Sequence, residues 1–153
     1  MEKDNYLKFG LMMATSFVVM YGVMFLNVDK LDHILLSNMR TYMTVLMIAP
    51  MAVIMLLFMW GMYKNKTLNG IILIASVIVF GIFYYMERDQ TGISDKEYMK
   101  AMIPHHSSAI LTSQQAHLKD PEVKKLAQEI IEAQKREIAQ MKKALYRLEH
   151  QEN

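Results

Sequence analysis

Three long apolar runs open the chain, and a polar, periodically patterned stretch closes it. The runs extend from about Phe9 to Val28, from Tyr42 to Tyr63 and from Leu68 to Met86, and none contains Asp, Glu, Lys or Arg. Each is close to the ~20 residues needed to cross a bilayer core. The pattern predicts a membrane domain over residues 1–88 with three transmembrane helices. A linker follows over 89–94, centred on Gln90-Thr91-Gly92-Ile93.

Residues 95–153 carry a different periodicity. Ser94 with Glu97 three positions later is a capping box, so a helix should begin near Asp95. A second start lies at Asp120-Pro121-Glu122, with Asp at the N-cap and Pro at the first helical position. From there apolar residues recur at spacings of three and four to about Glu149. Two long helices joined by a short turn make an antiparallel hairpin, so the fold class is all-α.

Charge gives the expected direction of crossing. The Lys64-Asn65-Lys66 loop is short, basic and unopposed by acids, which favours the cytoplasmic side. The N-terminus then lies inside, and three crossings put the C-terminal hairpin on the extracytoplasmic side. The first run lacks the basic leader and small-residue cleavage site of a signal peptide, so it is expected to stay as a helix.

Composition narrows the chemistry. The 153 residues carry a formal charge of +2 and no cysteine. No basic stripe interleaved with aromatics marks a nucleic-acid surface. Without cysteine, any soft-metal ligand must be Met or His. Met39, Met43, Met47, Met51, Met55 and Met59 recur every four residues through the second run. Each step advances ~40° around a helix, so the row spirals instead of holding one face. Methionine is also an ordinary apolar packing residue. Pro50 predicts a kink in that helix.

The densest soft-donor segment is Met99-Lys100-Ala101-Met102-Ile103-Pro104-His105-His106. Thioether sulfur and imidazole nitrogen together suit a monovalent soft metal, Cu(I) or Ag(I). On a helix, Met99, Met102, His106, Ile110, Ser113 and His117 fall within about 80° of one another, while His105 falls ~100° from His106. Pro104 predicts a bend that would free the carbonyl of Lys100 and re-aim both imidazoles. On the second helix, Val123, Leu126, Ile130, Gln134, Ile138, Met141, Leu145 and Leu148 form the apolar stripe, with Glu137 at its margin.

Folding the hairpin about a turn near residue 120 brings His106 level with Gln134 and Met99 level with Met141. Met102 falls level with Ile138, beside Glu137. Soft and polar residues of two helices thus meet at the same heights. Methionine at helical spacing is equally a core residue, and a histidine on an apolar face is often a hydrogen-bonded core histidine. The pattern alone leaves both readings open.

The motifs M-x-x-M-I-P-H-H-x-x-A-I at Met99–Ile110 and D-P-E-V-x-x-L-A-x-x-I-I-x-x-Q-x-x-E-I-x-x-M at Asp120–Met141 carry a family resemblance. Over roughly residues 95–148 the chain resembles the domain-of-unknown-function family 305, and its front end resembles a membrane-anchored branch. The resemblance implies a ferritin-like helical fold and extracytoplasmic copper and silver binding and resistance. It further implies Met99, Met102, His105, His106 and Met141 as metal positions, with Gln134 and Glu137 alongside. Many members carry the hairpin twice. One copy is half of a four-helix bundle, so a homodimer or higher homo-oligomer is expected.

The leading expectation is a membrane-anchored protein that captures or buffers Cu(I) or Ag(I). A copper transport component using the methionine-rich second span and a structural or oligomerisation protein without metal are the alternatives. An enzyme is not expected. No nucleophile–base pair or carboxylate dyad is legible, and the Glu-x-x-His motifs of di-iron bundles are absent.

Overall fold

The computed structural model describes residues 2–151, which form five α-helices, one short 3-10 turn and, among the described residues, no strand. The helices are α1 (Glu2–Val23), α2 (Asn38–Phe58), α3 (Lys66–Asp89), α4 (Asp95–Gln115) and α5 (Pro121–His150). The first three are long and apolar enough to cross a membrane. The helix ends differ from the apolar runs: α1 stops at Val23, α2 stops at Phe58, and α3 continues past Met86 through Glu87-Arg88-Asp89. Hydropathy marks where lipid is favourable, whereas a helix ends where a cap ends it. The α2 helix is continuous through Pro50.

The chain divides into two compact units. One holds the residues up to Val23 together with Arg40–Gly92. Its small core is Phe9, Ala52, Leu56 and Tyr63, with Met13, Met55 and Met59 packed against it. Asn69, fully buried in an apolar helix, would be destabilising without partners. It has two: Tyr6 Oη donates to its Oδ1 at 2.8 Å, and its Nδ2 donates to the Tyr63 carbonyl at 2.7 Å. These bonds tie α1 to the turn before α3. At the other end of α3, Gln90 adopts a left-handed conformation and its N–H returns to the Met86 carbonyl. Gly92 follows at φ 73°, where a side chain would be strained and a Cβ would sit 3.4 Å from Tyr42 Oη.

The other unit joins Met24–Met39 to the chain from Ile93 onward. Both helix starts follow their capping residues. Ser94 Oγ accepts from the Glu97 N–H, and Asp120 Oδ1 accepts from the Glu122 and Val123 N–H groups at 2.9 and 3.0 Å. The hairpin core is Ile103 and Ile110 from α4 with Ile131, Ile138 and Leu145 from α5. These recur every seven residues, which is the seam of two nearly antiparallel helices. Val123 and Leu126, expected on the buried stripe, are exposed, and Ile131 takes the core position.

The sequence pattern did not assign residues 24–39 to this unit. The segment holds the 3-10 turn Leu31–His33, and Leu35 packs against the hairpin core. Asn38 N–H donates to Glu97 Oε2 at 2.6 Å, and Asn27 Nδ2 donates to Ser108 Oγ at 2.5 Å. It is a third layer on the hairpin.

Candidate functional site

The face of α4 that meets α5 carries Met99, Ile103, His106 and Ile110, one residue per turn. The adjacent face carries Ala101, Pro104 and Ser107, which are all buried. Pro104 is therefore accommodated inside a continuous helix. The helix ends at Gln115, so His117 lies beyond it, exposed and away from the shared face.

Met99 and Met141, one from each helix, both pack against the hairpin core. Next to them His106 is mostly buried, and its Nδ1 lies 3.0 Å from Glu137 Oε2. The two atoms are in ion-pair range, and by geometry Nδ1 is a buried nitrogen without a hydrogen-bond partner. Burial pushes the His106 imidazole below the usual histidine range, opposed by Glu137 and reinforced by His105. A ring held neutral keeps a lone pair for a metal.

The other expected residues are placed less centrally. Met102 and Gln134 are half-buried on the two helices. His105 is exposed, its ring centroid 6.1 Å from that of His106, so adjacency in sequence does not become a shared pocket. Gln134 was expected opposite His106; the side chain that pairs there is Glu137. Among the described residues no three His, Asp or Glu side chains cluster as a metal-binding group. A thioether-rich site would not require one.

A second polar cluster escaped the periodicity. His33, 5 % exposed, lies with Nδ1 2.8 Å from Ser107 Oγ, which also accepts the Asp29 N–H at 2.7 Å. Burial and the charge of Lys142 push the His33 imidazole down. Lys142 Nζ reaches Asp32 Oδ2 at 2.5 Å and holds that carboxyl below its ordinary range. The assembly has serine, histidine and aspartate side by side, but Ser107 is fully buried and no substrate can reach it. Its role is to fasten residues 24–39 to α4.

The profile of a domain of unknown function, DUF305, matches residues 86–149. An uncharacterized protein of Acanthamoeba polyphaga mimivirus is 36% identical over 138 residues, covering 88% of this chain and 89% of its own length. The chain belongs to the DUF305 family. The DUF305 match begins in the last turn of α3, earlier than the motif residues alone suggest, and takes in both hairpin helices. The match to the viral relative covers so much of the chain that it includes most of the apolar helices too. No solved structure matches the chain.

Proposed function

We propose that this DUF305 protein is a membrane-anchored binding protein for Cu(I) or Ag(I) that captures or buffers the metal outside the cytoplasm. The observation that carries this reading is His106 Nδ1, a buried nitrogen without a hydrogen bond, 3.0 Å from a carboxylate oxygen. A soft cation bound at that nitrogen would supply the partner it lacks, with a carboxylate already beside it. Met99 and Met141 supply thioethers in the same interface, which favours a soft monovalent ion over a hard one. Glu137 would offset its charge. Met102 and Gln134, half-buried on the same two helices, would be further ligands or orient the first ones, and exposed His105 would act from the rim.

The orientation rests on charge and on the composition of the second unit. Residues 24–39 and the chain from Ile93 form one unit, so both belong on one side of a membrane. Two crossings, α2 and α3, lie between them and return the chain to that side. The basic Lys64–Lys66 turn is then on the opposite, cytoplasmic side. The exposed Val123 and Leu126 near the hairpin turn favour pairing with a second copy, which would complete a four-helix bundle.

The test is a Cu(I) titration of the full-length protein against the Met99→Leu/Met102→Leu variant. Leucine keeps volume and apolarity, so the helices should remain while affinity falls. Equal affinity with unchanged helix content would sink the reading.

A further inference from the structure

Between the 24–39 segment and α5 lies a cleft of about 300 Å³, none of whose lining residues belongs to the Met–His set. That volume is at the lower end of small-ligand sites. Its floor is aliphatic, from Ile110 and Ile138, and three lysines converge on it: Lys30, Lys135 and Lys142. Asp29 is the one acidic residue in the lining. Lys142 is already paired with Asp32, whereas Lys30 and Lys135 form no ion pair among the described residues. Like charges gathered around a partly enclosed space repel one another unless a counter-charge enters.

His33 adds a directional donor. The ring is nine-tenths buried and lines the cleft, and its Nδ1 is occupied by Ser107. Nε2 is the nitrogen left for a ligand, because the neighbouring Asp32 Oδ1 is 3.8 Å away, beyond a hydrogen bond. Burial first, then the charges of Lys142 and Lys30, lower the affinity of this imidazole for a proton, opposed by Asp32 and Asp29.

We propose that this cleft binds a phosphate group, with Lys30 and Lys135 supplying the charge and His33 a hydrogen bond. Lysine ammoniums bind phosphate as point charges and need no fixed fork geometry. The phosphate has two chemical sources, a phospholipid headgroup or the free anion, and the same residues would recognise either. The site is independent of the metal reading: its residues are different, and it needs no metal.

The experiment uses the full-length protein, metal-free. Inorganic phosphate is titrated in detergent, followed by phosphorus NMR or thermal shift. Separately, binding of a soluble phosphatidylglycerol is compared with phosphatidylcholine by native mass spectrometry. The variants are Lys30→Gln/Lys135→Gln and, as a charge-preserving control, Lys30→Arg/Lys135→Arg. Saturable phosphate binding that weakens about tenfold or more in the Gln variant and persists in the Arg variant supports a free-anion site. Selective phosphatidylglycerol retention with the same variant pattern supports a headgroup site. Binding should weaken with added salt in both cases. Absence of saturable binding by both probes overturns the proposal, as does equal binding by parent and Gln variant. Loss in both variants, with helix content intact, overturns the charge-based recognition.

Discussion

His33 Nδ1 and Ser107 Oγ are 2.8 Å apart across 74 residues of sequence, and both side chains are buried. This bond, with the Asp29 N–H on the same oxygen, fastens the first loop of the chain to the penultimate helix. Neither group can be removed without leaving a buried partner unsatisfied. Ser107→Ala should therefore lower the stability of the second unit by about 1–3 kcal/mol, the cost of orphaned buried polar groups. Thermal unfolding followed by circular dichroism in detergent reads the change. A shift within error of zero would show that water replaces the hydroxyl.

The same histidine makes stability depend on pH. Burial lowers its folded-state affinity for protons, so between the folded and unfolded pKa values the unfolded chain binds more protons. Stability from this group is present above the unfolded value of ~6.5 and is lost as pH falls below it. Going from pH 7.5 to pH 5.5 should lower the melting temperature, and His33→Gln should show a smaller fall over the same interval. His106 shifts in the same direction, so the difference between the two proteins, not the slope of either, isolates His33.

Glu137→Gln tests the charge beside His106. The amide keeps the size and removes the negative charge, so Cu(I) affinity should fall by a few-fold to tenfold while the helices stay intact. Competition with a chromophoric Cu(I) chelator measures it. Unchanged affinity would make Glu137 a bystander of the site.

Asp120→Ala removes the side chain that accepts two N–H groups at the start of α5. The expected loss is about 1 kcal/mol, the usual value of an N-cap. It should appear as a lower melting temperature without a change in metal affinity, because the cap is remote from His106 in sequence.

Much of this architecture was legible, because helix starts are written locally. Ser94 and Asp120 announce α4 and α5 through one or two hydrogen bonds each, and the charge-free runs announce the apolar helices. The lateral pairing at His106 was legible only in part. Counting register placed Gln134 level with it, but helical side chains lean toward the N-terminus of their own helix. Glu137, from nearly one turn later, therefore reaches back to that height. The role of residues 24–39 was not legible at all. Residues 24–28 read as the end of the first apolar run, the rest has no period, and its partners lie 59 to 110 residues away. His33 reads as one charge among several until Ser107 is beside it.

That long separation sets an order of events during synthesis. Residues 24–39 leave the ribosome well before α4 exists, and at 5–20 residues per second the interval from His33 to Ser107 lasts on the order of 4–15 s. Through that time His33 and Leu35 have none of their final neighbours from α4 and α5, and α2 and α3 must be made before those helices arrive. The second unit is thus a late, whole-chain product: a nascent chain arrested before residue 95 carries its first loop as an open, sticky segment, the natural target for a chaperone or a protease.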